Sequence, residues 1–227
     1  MLIILIIVIA AASWLVQWNL KRKFTKYSKI ALGNGMTGRE VAELMLRENG
    51  ITDVQVRASN GILTDNYNPA NKTISLSEAV YTTCSVAAAA VAAHETGHAL
   101  QHAQAYSWLK MRSSLVPVVS FTNRWVSWLL LAGLILIGTG LLGKTLLGFG
   151  ILLYAMITLF SFITLPVEIN ASQRALAWLS RAGITNSYND KEAKDALKAA
   201  AYTYVVAAIG SLATLIYYII IFLGGRR

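Results

Sequence analysis

His94-Glu95-Thr96-Gly97-His98 is the stretch of this 227-residue chain whose residue types and spacing describe a reaction. At 3.6 residues per helical turn, residues four apart lie one above the other, about 6 Å apart. His94 and His98 therefore present two imidazoles to one point, a spacing that grips a zinc ion. Glu95 projects beside them, where it can hold the metal-bound water and take its proton, the H-E-x-x-H arrangement of metal-assisted hydrolysis. The plainer alternative is a helix that carries two surface histidines.

A catalytic zinc takes three protein ligands and leaves a position for water. His102 continues the same face but lies eight residues from His94, about 12 Å along a straight helix. The glycine bend that brings a third histidine back in H-E-x-x-H-x-x-G-x-x-H has no counterpart here, so His102 is expected at the surface or behind the ligands. Between Glu95 and Asp190 the chain has one carboxylate, Glu168. It follows directly on an apolar run, where an ionisable side chain is costly and is by default a functional candidate; it could also simply end that run at the interface. The expected sphere is one zinc per chain on His94, His98, Glu168 and water, with Glu95 as base.

These residues must be positioned by an unusual chain. Hydrophobic residues make up 56% and charged residues 14%, little more than half the usual charge content. Disorder is thereby excluded, and the single Cys84 excludes a disulfide scaffold. Four apolar windows approach the roughly 20 residues of a membrane span: Leu2–Trp18, Trp125–Leu142, Leu146–Val167 and Tyr202–Leu223. The first has no basic residue before it and a basic run after it, the reverse of a cleaved signal peptide, so it reads as a retained anchor. Spans one to three read as charge-free, which disfavours a channel or transporter. Lys21, Arg22, Lys23, Lys26 and Lys29 follow the first span, and only Lys144, Arg226 and Arg227 fall on the other face. The positive-inside rule then puts the large polar segments in the cytoplasm and the N-terminus outside. The net charge of +9 is thus topological, with some attraction to anionic lipid, and no nucleic-acid module is expected.

The fold class expected is a mainly α membrane protein, four transmembrane helices with a small α+β zincin-like catalytic region. Residues 1–20 are the anchor, 21–124 the zincin-like region, 125–167 a transmembrane hairpin, 168–201 a helical segment with the third ligand, and 202–227 the last span and tail. Because spans two and three form a hairpin, Glu168 emerges on the same face as the motif. Thr37 and Glu40 form a capping box for a helix ended by Asn49-Gly50. Asp53–Val56 and Thr73–Leu76 read as strands, and Asn66–Pro69 as turn. Ser75 and Glu78 read as a second capping box, opening one long Ala-rich helix to about Gln104 that includes Cys84 as a small buried residue. A further helix from about Val167 is closed by Gly183, and Asp190 caps another that runs into the fourth span. The Gly138–Gly143 match to G-x-G-x-x-G closes an apolar span with no strand before it, and reads as close membrane packing.

Asp65-Asn66-Tyr67-Asn68-Pro69, Ile74–Ser77, Val91–His102, Leu115-Val116-Pro117 and Leu165–Ala175 together resemble the YugP-type neutral zinc metallopeptidases of bacterial membranes, over nearly the whole chain. The resemblance implies a membrane-integrated zinc endopeptidase of the gluzincin kind, with His94, His98 and Glu168 as ligands and Glu95 as base. The family more often has His and Asp where this chain has Asn66 and Asn68, and Asp where it has Asn170, which touches contacts behind the ligands or to substrate. Candidates for such contacts are Arg174, Ser172, Asn170 and Tyr67, with Arg174, Tyr67 and Tyr81 the unranked candidates for oxyanion stabiliser. Strand Ile74–Leu76 is expected to pair with an extended substrate. The expected location is the bacterial plasma membrane, multi-pass, with the site cytoplasmic. The expected partners are a membrane or misfolded protein or peptide substrate, the lipid bilayer and a membrane-protein partner or second copy. The alternative is a non-catalytic membrane scaffold or chaperone with a structural zinc site.

Overall fold

The computed structural model describes residues 2–61 and 63–224; Arg226 and Arg227, used in the charge count, lie outside the described residues. The chain is mostly helical, with one three-stranded sheet. In order it forms α1 (Leu2–Tyr27), α2 (Gly38–Glu48), β1 (Gln55–Ser59), β2 (Asn66–Asn68), β3 (Thr73–Ser77), α3 (Glu78–Tyr81), α4 (Val86–Ala103), α5 (Ser107–Ile135), α6 (Leu141–Arg181) and α7 (Asp190–Gly224). Helices α1, α5, α6 and α7 are long and apolar enough to cross a membrane. The chain divides into two compact units. One contains residues up to Trp14, Lys110–Leu165 and the chain from Tyr204; the other contains Leu15–Leu109 and Pro166–Thr203.

The second unit carries the polar chemistry. Helix α2 starts as its sequence requires: Thr37 Oγ1 accepts from the Glu40 amide, and the Glu40 carboxylate accepts from the Thr37 amide at 2.8 Å. It ends at Asn49, with Gly50 at φ +69°. Its apolar stripe of Val41, Met45 and Leu46 is buried in a core shared with Ile74 and Leu76 of the sheet and with α4. Ala87 to Ala90, Ala92 and Ala93 of α4 are all buried. The alanine run is therefore a packing surface as well as a strong helix former: side chains this small let flanking elements approach the helix closely.

The predicted single helix from Ser75 to Gln104 is broken. Ser75 belongs to strand β3, so it caps nothing; α3 is one short turn, and Thr82–Cys84 separate it from α4. The cap of α4 is Ser85, whose Oγ accepts from the Ala88 amide at 3.2 Å. Cys84 therefore precedes the helix, and its Sγ donates to Gly35 O at 2.9 Å. In the sheet, ordered β1-β3-β2, β1 pairs with β3 in parallel and β2 pairs with it antiparallel, Tyr67 opposite Ile74. Asn66–Asn68, expected as turn, is thus a strand. β3 is central, with both edges occupied, so it is not the edge that an extended substrate could pair with. Among the described residues the edge strands of the sheet are β1 and β2.

In the first unit the Trp125–Leu142 window is not one continuous helix. Helix α5 ends at Ile135, a single 3-10 turn follows over Ile137–Thr139, and Gly140 sits at φ +89° before α6 begins. That backbone region favours glycine, which is why Gly138-Thr139-Gly140 is the hairpin turn and not the end of a span. Lys144 lies in α6. The part of the Trp125–Leu142 window that lies in α5 is then only Trp125–Ile135, about 16 Å at 1.5 Å per residue, half a bilayer core. An apolar stretch of α5 long enough to cross a membrane therefore draws on the turns before Trp125, where Arg124 lies. Gly143 does supply the close packing expected of it, since a Cβ there would come 1.9 Å from Leu136 O.

Candidate metal centre

Helix α4 places His94 and His98 one turn apart, and their rings meet edge-to-face at 4.8 Å between centroids. Glu168 enters from α6, where the helix runs unbroken through Pro166 to Arg181. Its Oε2 lies 3.3 Å from His94 Nε2 and 3.6 Å from His98 Nε2. One donor atom from each of the three residues falls within 4.8 Å of the others. Glu168 is only 2% exposed and His98 7%, while His94 is part-buried, so the carboxylate and one imidazole are out of water and the second imidazole largely so.

The hydrogen bonds behind the imidazoles decide which way they face. Gln101, fully buried one turn beyond His98, donates from Nε2 to Val167 O at 2.8 Å and to Asn170 Oδ1 at 3.0 Å. Its Oε1 must then be the atom 3.0 Å from His98 Nδ1, which makes Nδ1 the donor and leaves the Nε2 lone pair directed at Glu168. Ser172 Oγ stands 3.1 Å from His94 Nδ1 in the corresponding place. Two acceptors facing each other in a buried site require a positive charge between them. A tetrahedral metal with imidazole nitrogen and carboxylate oxygen ligands meets that requirement, and the donor set suits zinc. The electrostatics favour positive charge at this point. Burial alone would raise the Glu168 carboxyl, yet the contacts with His94 and His98 outweigh it and hold it far below the usual carboxylate range. Burial opposes positive charge on His98, and the neighbouring Glu168 carboxylate outweighs it and raises its pKa.

Glu95, 8% exposed, has its carboxyl pushed up by burial, against the lowering effect of His94 and His98. Asp65 accepts from the Ser77 amide at 2.7 Å and from Ser77 Oγ, tying the loop before β2 to the end of β3. Tyr67 OH and His102 Nδ1 are 2.8 Å apart, so His102 is anchored to β2 and does not enter the cluster. Arg174 donates from Nε to Asn170 Oδ1 at 2.7 Å and from NH1 to Gln104 Oε1 at 2.5 Å. It thereby extends the Gln101–Asn170 tether between α4 and α6. Tyr81 lies beneath the Arg39 guanidinium at 5.6 Å. Two residues carry more than sequence reasoning assigned them, Gln101 and Gly97. A Cβ on Gly97 would sit 2.7 Å from Ala171 O, so this glycine is what lets α6 lie close enough for Glu168 to reach the histidines. The H-E-x-G-H spacing contained that signal, but it names no neighbour.

A largely buried His/His/Glu cluster able to hold a metal ion, with a glutamate next to it in sequence, is the class of site the fold presents. The chain belongs to the family described as "Putative neutral zinc metallopeptidase", whose model matches residues 2–223. It is similar to the "Putative membrane protease YugP" of Bacillus subtilis (strain 168), with 41% identity over 224 residues, 99% of this chain and 97% of that protein. No solved structure matches it.

Proposed function

We propose that the protein is a membrane-integrated zinc endopeptidase of the zincin, gluzincin-like kind, binding one zinc through His94, His98 and Glu168. The observation that carries this is the buried convergence of Glu168 on two imidazoles whose outer nitrogens are already bonded to Gln101 and Ser172. Zinc, when bound, supplies a Lewis acid that lowers the pKa of water and polarises a scissile carbonyl. Glu95 is the base: its carboxylate takes a proton from the attacking water and delivers it to the departing amine nitrogen, while the water oxygen bonds to the carbonyl carbon. Burial, which raises its pKa, suits it to both halves of that transfer. The outer edge of β2 receives the substrate backbone as an added strand, beside Tyr67. Substrates are membrane or misfolded proteins, met at the cytoplasmic face of the plasma membrane, as the basic residues after α1 favour.

The test is Glu95→Gln in full-length protein, assayed on fluorescently labelled casein beside zinc content. Cleavage should fall to background with zinc retained, because the amide cannot accept the proton and none of the ligands is altered. Cleavage near the wild-type rate would remove Glu95 from the mechanism. A wild type that holds zinc and cleaves nothing would favour the structural-zinc scaffold.

A further inference from the structure

In an α5–α6 hairpin that crosses a bilayer, Arg124 stands at a depth where a lone charge is costly. Helices α5 and α6 form a hairpin whose register is fixed by two close approaches. Gly133 lies against Leu147, where a Cβ would come 2.6 Å from the Leu147 Cα, and Gly150 lies against Leu130, with 2.9 Å to its Cδ2. Residue numbers in both pairs total 280, so the register sets Arg124 level with Met156. The charge-free stretch of α6 runs from Thr145 to Val167, and Met156 is its midpoint. A bilayer core is about 30 Å thick, which leaves Arg124 about 15 Å from either headgroup zone, beyond what one side chain bridges by snorkelling.

The side chain is exposed, and no ion pair among the described residues takes up its charge. It does not stand alone on its face. Ser113, Ser120 and Ser127 repeat every seven residues, and Asn123 lies beside them; all four are exposed. At 100° per residue they and Arg124 fall within one stripe. Small polar residues in such a stripe are what transmembrane helices use to approach and hydrogen-bond one another. Around it Phe121, Trp125 and Trp128 are exposed apolar side chains suited to lipid.

We propose that this stripe is a docking face for a transmembrane helix of another protein that carries an acidic residue at mid-membrane depth. The charge selects the occupant. The apolar stretches of α1, α5, α6 and α7 contain no Asp or Glu, so a second copy has no counter-charge to offer, and an isologous pairing would set Arg124 against Arg124. A partner carboxylate accepts two parallel N–H bonds from the guanidinium, and the serines and Asn123 pair with its neighbouring polar groups. None of these residues is among the proposed zinc ligands, and the inference does not depend on peptidase activity.

The test places the full-length protein in phosphatidylcholine vesicles with a single-span Leu/Ala peptide bearing Glu at its centre, and with Gln and Leu versions of that peptide. Association is read by energy transfer between labels. The Glu peptide should bind at least about tenfold more tightly than the Leu peptide. Arg124→Leu should bring the two within about twofold, and Arg124→Lys should keep part of the preference; unchanged zinc content would show that both variants are folded. Equal binding of the Glu and Leu peptides to wild type, or a preference that survives in Arg124→Leu, overturns the proposal. So does self-association of the chain that Arg124→Leu abolishes in the absence of any peptide preference, which assigns the face to a second copy. Loss of the preference when phosphatidylglycerol is added assigns Arg124 to lipid phosphate and overturns it as well.

Discussion

Replacing Gly97 with alanine sets two effects of opposite sign against each other. In an ordinary helix the change stabilises by about 1 kcal/mol, because alanine is the better helix former. Here the added methyl would stand 2.7 Å from Ala171 O, 3.2 Å from Ala171 Cα and 3.3 Å from Ala171 C. All three are backbone atoms of a packed helix, which cannot turn aside as a side-chain tip can. Restoring ordinary contact at 3.4 Å requires α4 and α6 to part by about 0.7 Å at this point. Overpacking of that kind costs about 1–3 kcal/mol, so the net effect is destabilising by up to about 2 kcal/mol. The same displacement acts on the cluster, because Ala171 lies three residues from Glu168 and the ligands come from the two helices being separated. Zinc affinity should therefore fall by about 10–100-fold, the range found when ligand positioning is disturbed. Competition with a chelating dye measures the affinity, and thermal unfolding with and without metal measures the stability. A Gly97→Ala protein that binds zinc as wild type and melts at the same or a higher temperature would refute the close approach as the device that seats Glu168.

Gln101→Leu removes the bond that points His98 Nε2 inward and the tether to Val167 O and Asn170; it should weaken zinc binding by about 10–100-fold and stability by about 1–3 kcal/mol, and an affinity within twofold of wild type would show that Gln101 orients nothing. Lys23 and Tyr27 both donate to Asp195, at 2.7 and 2.5 Å. The Lys23 bond, then the Tyr27 bond, lowers the Asp195 pKa, so its contribution is present above the unfolded value near 4 and is lost as pH falls through the folded one. The bond to Asp195, with burial, pushes Tyr27 up to about 12, so that contribution is present below about 10 and is lost as pH rises toward 12. The side chains of the pair are 26% and 34% exposed, which limits the effect to about 1 kcal/mol or less. Asp195→Asn should flatten both flanks of a melting-temperature-against-pH curve, and flanks as steep as in wild type would contradict the assignment.

Where local chemistry decides, the sequence was sufficient. The Thr37/Glu40 box, the Gly50 and Gly183 stops and the helical H-E-x-x-H are each set by residues within one turn of the feature. Glu168 was found because it is the one acid between Glu95 and Asp190, and a lone acid at the end of an apolar run is costly enough to notice. What escaped depended on neighbours remote in sequence. Gln101 looks like any glutamine until Val167 and Asn170 are placed beside it, and Gly97 looks like helix filler until Ala171 arrives. Asn66–Asn68 has the composition of a turn, yet pairing with β3 makes it a strand and removes β3 as the free edge. Trp125–Leu142 reads as one continuous helix because apolar residues continue past Ile135, while the positive φ at Gly140 turns the chain.

Zinc content of detergent-purified wild type, measured beside Glu168→Ala, tests the central claim most directly. About one zinc per chain in wild type, and a strongly weakened site in the variant, is the expected result, since removing Glu168 leaves two imidazoles and no anionic ligand. A variant that holds zinc as tightly as wild type would place the third ligand elsewhere, and zinc in neither protein after reconstitution would contradict a His94/His98/Glu168 metal centre altogether.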